Sequence, residues 1–368
     1  MKILFCTNVF EVVENGPVKF ANLLLQINER YPEHELHILT EDIAESRSFV
    51  HKVPLSRFWK PSPFSQFARM WAYHQAAMRV REHFAFDVLV YNNALVGLWS
   101  SYRFDSTVGM INDDNNLSAS WKQSESSSSG FKHLVFKGVE GLMARKASKI
   151  LVNSEYMRKS VARAYQVPAQ KIHLLYKAVE IPAVLPASLP LDPAAPVQVL
   201  FVKSDYRRGG LFILVEALSQ LSYHFVLTIV GPTPADREKI IAQAGHHSNL
   251  EYIFLGKVPQ QNITRLLSDT HIFCVPSHKE ALGVANMEAM AQGVPVVTTA
   301  AGGIPEVLDH GRCGWMVPPQ DVPTLAQAIE ACISQPALRA AKVACAYDYV
   351  HRFSIPTMFE HFLKILAR

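Results

Sequence analysis

The sequence lacks the cysteine pattern of a disulfide framework or a metal site. Its five cysteines are scattered along 368 residues and form neither a CxxC motif nor a Cys/His ligand spacing. No apolar run reaches the ~20 residues that a bilayer-spanning helix needs. The opening MKILFCTNVF lacks the longer apolar region of a signal peptide, and we interpret it as a first strand. We therefore expect a protein of the reducing cytosol.

The sequence also lacks the usual signals of dinucleotide and nucleic-acid binding. No GxGxxG motif follows the first strand of either half, which argues against a dehydrogenase. The basic residues are dispersed, which argues against nucleic acid as a partner. A net charge of +4 and a pI of about 8.7 fit an anionic ligand or weak attraction to an acidic membrane surface.

A proline-rich segment divides the chain. Residues 181–198 contain five prolines, which deny backbone donors and favour extended conformations, so we interpret them as a linker rather than a packed element. On either side, Val/Ile/Leu-rich runs alternate with helical patterns, which predicts parallel strands in two doubly wound α/β sheets. These runs are KILFCTN, ELHILT, DVLVYNN and KILVNS in the first half, and VQVLFV, FVLTIVG, HIFCVPS and PVVTT in the second.

The richest motif is SHKEALGVANMEAMAQGVPVVTTAAGG, residues 277–303. Glu280 lies in a loop at the carboxyl end of a strand, and Glu288 lies about one turn into the helix that follows. In an open α/β sheet, ligands bind in this crevice, and the NH groups of a helix's first turn favour anions. Two solvated glutamates on an ordinary βαβ crossover are the alternative.

This motif resembles the signature of retaining glycosyltransferases of family four. The pattern there is a glutamate, seven residues, a second glutamate opening an EAMA run, a Gly-x-Pro-Val-Val strand entry and a glycine pair. Here these are Glu280, Glu288, residues 293–297, and Gly302 with Gly303. The resemblance implies a nucleoside-diphosphate sugar donor, a glycan or lipid-linked acceptor and a role in surface polysaccharide biosynthesis, with no cofactor and no metal.

The resemblance also implies the GT-B fold. In that fold two Rossmann-like domains flank an interdomain cleft, and a C-terminal helix crosses back to the first domain. We assign residues 1–181 and 352–368 to the first, acceptor-side domain and residues 182–351 to the nucleotide-sugar domain. The periodicity of residues 356–368 indicates a helix, but not its crossing. A non-catalytic nucleotide-sugar-binding protein and a GT-B-fold sugar-nucleotide epimerase remain as alternatives.

The motif residues divide into sugar, ribose and phosphate roles by this resemblance. Glu288 would accept hydrogen bonds from the ribose hydroxyls. Glu280, with the backbone of Leu282 and Gly283, would hold the hydroxyls of the donor sugar, and glycine permits close backbone approach. Val284 would offer its NH group to phosphate at the helix start.

The phosphate-binding cations depart from the family pattern. The family usually has an arginine and a lysine after the first strand of the second domain, where this chain has Ser204 and Gly209 in KSDYRRGG. Arg208 is our first candidate for the diphosphate, since a guanidinium can bind phosphate bidentately. Lys203 or Arg207 would supply the second charge.

The first domain departs from the pattern as well. Gly16 is followed by Pro17, where relatives often have a second glycine. In VGMINDDNN, Asn112 replaces a histidine that precedes an aspartate in many relatives, and an amide can bind a hydroxyl but cannot take up a proton at neutral pH. We count Asn112 and Asp113 with Glu280 as catalytic candidates. Asp113 and Asp114 also suggest a metal site, which we disfavour without a supporting motif.

Two segments are less regular. Residues 118–130 are serine-rich, which predicts a mobile loop. Residues 57–84 mix aromatic and arginine side chains. They indicate either peripheral membrane contact, where such residues are favoured, or a helix packed on the sheet.

Overall fold

The computed structural model describes residues 1–11, 16–55, 63–113, 117 and 127–368. The chain forms two compact units. The first unit consists of residues 1–177 and 358–368, and the second consists of residues 178–357. Each is built on a parallel sheet, as predicted.

The first unit contains a seven-stranded sheet in the order β3-β2-β1-β4-β5-β6-β7, in which every pair of neighbours is parallel. The strands are β1 (Lys2–Thr7), β2 (Glu35–Thr40), β3 (Val50–Lys52), β4 (Val88–Tyr91), β5 (Thr107–Ile111), β6 (Lys149–Val152) and β7 (Ile172–Leu174). The α-helices are α1 (Gly16–Leu25), α2 (Ile27–Arg30), α3 (Pro63–His83), α4 (Leu98–Ser101), α5 (Ser127–Lys146) and α6 (Glu155–Tyr165).

The second unit contains a six-stranded sheet in the order β10-β9-β8-β11-β12-β13, again parallel throughout. Its strands are β8 (Val197–Val202), β9 (Phe225–Val230), β10 (Leu250–Gly256), β11 (Ile272–Val275), β12 (Val296–Thr299) and β13 (Trp315–Val317). The α-helices are α7 (Leu211–Ser219), α8 (Pro234–Ala244), α9 (Gln260–Ser268), α10 (Val284–Ala291), α11 (Ile304–Val307), α12 (Val322–Ser334), α13 (Pro336–Val350) and α14 (Ile355–Ala367), the last passing into the first unit.

The eight strands that the sequence predicted all lie inside the two sheets, but the inner strand β5 was missed although its five residues are buried. All four residues of β4 and of β11 are buried, as parallel strands covered on both faces should be. The edge strands β3, β7 and β13 have three residues each, too few for a periodic signal. At the edge, β10 alternates between exposed and less exposed residues, so it lacks a continuous apolar run.

The C-terminal helix α14 returns to the first unit, which confirms the expectation from the family fold. The predicted apolar face is buried, with Phe359 and Phe362 fully inaccessible. The ring of Phe359 meets that of Tyr31 edge-on, with centroids 6.3 Å apart. Lys149 Nζ lies 3.4 Å from the Leu366 carbonyl oxygen, near the end of the helix.

The proline-rich segment forms no helix or strand before β8 and connects the two sheets, as predicted, but it is attached to the second unit rather than unpacked. The Tyr347 hydroxyl donates to the Pro182 carbonyl at 2.5 Å, and the Ser188 hydroxyl donates to the Gly293 carbonyl at 2.7 Å. His271 Nε2 lies 3.1 Å from the Pro190 carbonyl oxygen. Proline lacks an NH donor but keeps its carbonyl, so a proline-rich segment can still accept hydrogen bonds from the residues around it.

The two irregular segments lie partly outside the described residues. Residues 118–126 are outside them, whereas residues 127–130 begin α5, so the predicted mobile loop is wrong for those four. Residues 56–62 are also outside, and α3 covers the rest of the aromatic segment. Tyr73 of α3 is buried in the core, while Trp71 is 53% exposed. The helix therefore packs on the sheet and still presents an aromatic side chain to solvent.

Candidate active site

The two predicted acids lie where the strand order of the second sheet reverses. β8 and β11 are neighbours at the centre of the sheet. The strands that follow β8 in the chain, β9 and β10, lie on one side of this pair, and β12 and β13 lie on the other. Glu280 lies in the loop after β11, and Glu288 is the fifth residue of α10. This placement agrees with the local structure expected from the sequence. In open α/β sheets, such a switch point is where ligands bind.

Glu280 forms an ion pair with Lys203, the first residue after β8. The ammonium Nζ pairs with Glu280 Oε2, and the other carboxylate oxygen accepts from the Ala281 NH at 3.1 Å. The side chains of Lys203 and Glu280 are only 26% and 19% exposed, so water screens the pair weakly. The structure therefore pairs Glu280, which the sequence assigned to the donor sugar, with Lys203, which it assigned to the diphosphate.

The glycine pair of the signature holds the backbone of Glu280. Gly302 has φ +56°, and a Cβ built on it would lie 1.7 Å from the Glu280 carbonyl oxygen. The NH of Gly303 donates to the same oxygen at 3.1 Å. Any side chain at position 302 would therefore displace Glu280 as well as strain the backbone.

The space beside Gly209 is filled by Lys203. A Cβ at position 209 would lie 2.9 Å from Lys203 Cγ and 2.7 Å from Phe201 Cζ. A lysine at position 209, where the family usually has one, would collide with this packing. Lys203 instead carries an ammonium group from the neighbouring strand end to Glu280.

Arg207 and Arg208 have different surroundings. Arg207 is exposed, and its guanidinium carbon lies 5.6 Å from the Tyr206 ring centroid. Arg208 is half-buried, and its carbonyl accepts a hydrogen bond of 2.9 Å from the NH of His278. The backbone of Arg208 is thus tied to the loop that carries Glu280. This favours Arg208 over Arg207 as the cation of the site.

The start of α10 contains a buried amide that the sequence analysis missed. Gly283 precedes the helix with φ +94°, and Leu282 is fully buried, so Leu282 can offer a ligand only its backbone. Asn286 is 3% exposed, and its Oδ1 has no partner among the described residues. The only signal for it was a polar residue in an apolar helical stretch.

His278 is half-buried, and its Nδ1 atom is buried without a partner among the described residues. Burial lowers its pKa below the usual value, because the protonated ring loses its hydration. The ring is therefore neutral at pH 7.

The first-unit candidates lie at carboxyl ends of strands. Gly16 is the first residue of α1, which follows β1, and Asn112 and Asp113 directly follow β5. Asn153 follows the adjacent β6, and its Nδ2 donates to the Asn112 carbonyl at 2.9 Å. In the described part of the chain, Oδ1 of both asparagines is buried without a partner. Asp114 lies outside the described residues.

Lys177 is a further cation that the sequence analysis missed. It lies three residues beyond β7, and its Nζ is 3.9 Å from the Phe20 ring centroid on α1. Burial lowers the pKa of this lysine to about 7, since a desolvated ammonium loses its proton more readily. In the sequence, Lys177 could have been recognised only as a basic residue shortly after a short apolar run.

Among the residues that the structure describes, no group of three His, Cys, Asp or Glu side chains is arranged to hold a metal ion. Of the two aspartates in VGMINDDNN, Asp113 is among the described residues and Asp114 is not, so independence from metal stays a prediction. None of the helices in the described ranges is both long and apolar enough to span a bilayer.

Two family profiles match the chain. "Glycosyltransferase Family 4" matches residues 30–181, and "Glycosyl transferases group 1" matches residues 191–347. The amylovoran biosynthesis glycosyltransferase AmsK of Erwinia amylovora is 34% identical over 170 residues, covering 43% of this chain and 41% of AmsK. The chain spans between 35% and 56% of the length of curated relatives that it matches.

Solved structures match over the whole chain. Sucrose-phosphate synthase from Thermosynechococcus elongatus gives a TM-score of 0.80 at 19% identity, covering 100% of this chain and 99% of that one. HepE from Anabaena, solved in complex with UDP-glucose, gives 0.73 at 20% identity with the same coverage. These likenesses establish the fold. Because the two profiles together match most of the chain and the parallel sheets are those of GT-B structures, the chain belongs to glycosyltransferase family four and has the GT-B fold.

Proposed function

We propose that this protein transfers a sugar from a nucleoside-diphosphate sugar to a glycan or lipid-linked acceptor, with retention of the anomeric configuration, in surface polysaccharide biosynthesis. The observation that carries the proposal is the Lys203–Glu280 pair at the switch point of the second sheet, held by Gly302 and Gly303. The name of AmsK, an amylovoran biosynthesis glycosyltransferase, and the UDP-glucose complex of HepE support the process and the donor class.

The nucleotide part of the donor is assigned to α10 and the loop after β8. Glu288 accepts hydrogen bonds from the ribose hydroxyls. The NH of Val284 and the guanidinium of Arg208 face the diphosphate. A helix N-terminus and a guanidinium both favour anions, and charge-assisted hydrogen bonds are the stronger kind.

The sugar part of the donor is assigned to Glu280. Its carboxylate accepts hydrogen bonds from sugar hydroxyls, and the ion pair with Lys203 orients that carboxylate. When a diphosphate enters, the Lys203 ammonium has a second anion within its reach and can be shared between the two. Lys203 would thus supply the cation for which Gly209 leaves no space.

The chemical step needs charge stabilisation rather than a protein nucleophile. The bond between the anomeric carbon and the phosphate oxygen breaks, and the acceptor hydroxyl attacks from the face that the phosphate leaves. The departing phosphate oxygen takes the acceptor proton, so nucleoside diphosphate and glycoside are the products. Arg208 stabilises the charge that develops on the leaving group. The neutral, half-buried His278 is not required as a base.

The acceptor side is assigned to the first unit. Asn112 and Asp113 accept hydrogen bonds from sugar or acceptor hydroxyls, and the buried Oδ1 of Asn112 has no partner within the described residues. Gly16 allows close approach of a ligand to the start of α1. Lys177, whose pKa is lowered to about 7, contacts the Phe20 ring of this helix. Its ammonium form would bind an anionic group of the substrate.

We also propose that the reaction is independent of metal, since the diphosphate would be held by basic side chains and a helix N-terminus. Transfer should survive EDTA. Activity that is abolished by chelation and restored by Mn²⁺ or Mg²⁺ would assign Asp113 and Asp114 as ligands instead.

A lipid-linked acceptor would fit peripheral contact with the cytoplasmic face of the membrane. Trp71, Trp99 and Tyr102 are 53%, 40% and 55% exposed, and the two tryptophan rings meet edge-on at 6.2 Å. Lys146 Nζ lies 4.9 Å from the Tyr102 ring centroid. Exposed aromatics beside cations suit an anionic bilayer surface. The double variant Trp71→Ala/Trp99→Ala should no longer float with anionic vesicles. If it floats as well as the unchanged protein, these tryptophans do not form a membrane contact.

The test of the function begins with thermal shifts of the protein against UDP-, GDP-, dTDP- and ADP-sugars. A donor at about a hundred times its Kd stabilises the folded state by about 2.7 kcal/mol, or roughly 5–10 °C. Donor hydrolysis or transfer to a simple acceptor then separates an enzyme from a binding protein. An epimerised donor would favour the epimerase alternative. NMR of the glycoside reports whether the anomeric configuration is retained.

A further inference from the structure

Two of the five cysteines lie side by side in the second unit. Cys313 follows α11 in the chain and directly precedes the turn into β13, and Cys345 lies on α13. Both are free thiols, and their Sγ atoms are 2.9 Å apart. A disulfide bond is about 2.05 Å long, so bond formation requires less than ~1 Å of approach. We propose that Cys313 and Cys345 are a reversible oxidation site at which a peroxide converts two thiols into a disulfide.

The surroundings of the pair decide which thiol reacts first. Cys313 is 1% exposed, whereas Cys345 is partly exposed and can meet a small oxidant. Lys342 lies one turn before Cys345 on α13. Its Nζ donates to the carbonyls of Gly311 and Gly314, on either side of Cys313, at 2.7 and 2.9 Å. A nearby ammonium stabilises a thiolate, which is the reactive form.

The oxidation proceeds in two balanced steps. The Cys345 thiolate attacks one oxygen of hydrogen peroxide; an S–O bond forms, the O–O bond breaks, and the released hydroxide takes a proton to become water. The Cys313 thiolate then attacks the Cys345 sulfur; the S–S bond forms, the S–O bond breaks, and a second water is released. The two sulfurs together lose two electrons, which reduce the peroxide. A dithiol reductant returns the disulfide to two thiols and is itself oxidised to a disulfide, as is usual for redox-sensing disulfides in a reducing compartment.

The crosslink joins α13 to the segment that leads from the signature glycines. Residues 304–312 connect Gly303 to Cys313, and within them the Glu306 carbonyl accepts a hydrogen bond from the Tyr349 hydroxyl of α13 at 3.1 Å. Closing a long loop restricts the unfolded chain, so the oxidised second unit should unfold at a higher temperature than the reduced one. This inference is independent of the proposed transfer reaction.

The other cysteines provide internal controls. Cys6, Cys274 and Cys332 are buried, and burial raises the pKa of each thiol, as it raises that of Cys313 to about 12. Cys313 differs from them in having the partly exposed Cys345 sulfur 2.9 Å away. All three should stay reduced under conditions that oxidise the adjacent pair.

The experiment is a thiol count in denaturant after mild treatment of the folded protein with hydrogen peroxide. We expect the count to fall from five to three, with one linked peptide that contains Cys313 and Cys345 in a non-reduced mass map. Cys345→Ser should abolish the linked peptide, whereas the control Cys332→Ala should keep it. A count that stays at five would overturn the proposal, as would Cys345 sulfinic acid beside an unmodified Cys313. Because thiols are counted on denatured chains and linked peptides are mapped by mass, a variant of lower stability remains interpretable.

Discussion

Replacing Glu280 with glutamine removes the negative charge from the Lys203 pair while keeping the shape of the side chain. The two side chains are 19% and 26% exposed, which places the pair between surface pairs at ~0–1 kcal/mol and buried pairs at ~3–5 kcal/mol. We estimate that Glu280→Gln lowers the stability of the second unit by about 1–2 kcal/mol. In a unit of this size, this corresponds to a midpoint lower by roughly 2–8 °C.

The same substitution separates the sugar from the nucleotide. A charge-assisted hydrogen bond contributes ~1.5–3 kcal/mol, so kcat/KM for the sugar nucleotide should fall roughly ten- to a hundredfold. Binding of free nucleoside diphosphate should be unchanged or tighter, because Lys203 is released from its carboxylate partner. Calorimetric titration with the nucleoside diphosphate and steady-state kinetics with the donor give the two quantities separately.

A double-mutant cycle with Lys203→Met tests whether the pair acts as a unit. If Lys203 acts on catalysis through Glu280, the double variant should lose little more activity than the worse single variant, and the coupling in stability should be about 1–2 kcal/mol. Additive losses would show independent roles. Nucleoside diphosphate affinity that falls as far as turnover in Glu280→Gln would refute the assignment of Glu280 to the sugar.

Three further outcomes are expected. Glu288→Ala should weaken nucleoside diphosphate and sugar nucleotide alike in calorimetry, and unchanged affinity for the free nucleotide would remove it from the ribose. Arg208→Ala should weaken diphosphate binding roughly ten- to a hundredfold, while the exposed Arg207→Ala stays within about twofold; the reverse result would exchange their roles. Burial and the neighbouring His37, whose Nδ1 lies 2.7 Å from His51 Nε2, lower the pKa of His51 to about 4. Since the unfolded chain then binds more protons than the folded one, stability should fall as pH drops from about 6.5 to about 4. Chemical denaturation across this range should show a shallower fall for His51→Gln, and identical profiles would contradict the assignment.

The features that were predictable from sequence are those that depend on neighbours along the chain. Most inner strands are recognisable as runs of Val, Ile and Leu, because a strand covered on both faces needs apolar side chains at successive positions. The inner strand β5 was missed because Thr107 and Gly109 interrupt its apolar run. The positions of Glu280 in a loop and Glu288 one turn into α10 follow from the residues between them. The return of α14 was expected only through the family resemblance, since periodicity defines a helix but not its partner.

The proline-rich segment shows where local reasoning fails. Its prolines correctly indicate an extended, irregular stretch, yet carbonyls such as that of Pro182 accept hydrogen bonds from the second unit. Composition reports which groups a segment lacks, but the partners of the remaining groups belong to residues far away in sequence. The edge strands β3, β7 and β13 are likewise defined by pairing with a neighbour rather than by their own three residues.

By itself the sequence determined the α/β class, the inner strands other than β5, and the loop and helix that carry the two acids, because these follow from periodicity and from local backbone chemistry. Only the tertiary structure decided that Lys203 meets Glu280 across 77 positions of sequence and that Cys313 meets Cys345. It also explained Gly209, whose side-chain space is taken by the stem of Lys203. Such contacts depend on which strand ends become neighbours and on how the loops between them pack. A linear pattern does not specify this, because the same strands in another order would bring other side chains together.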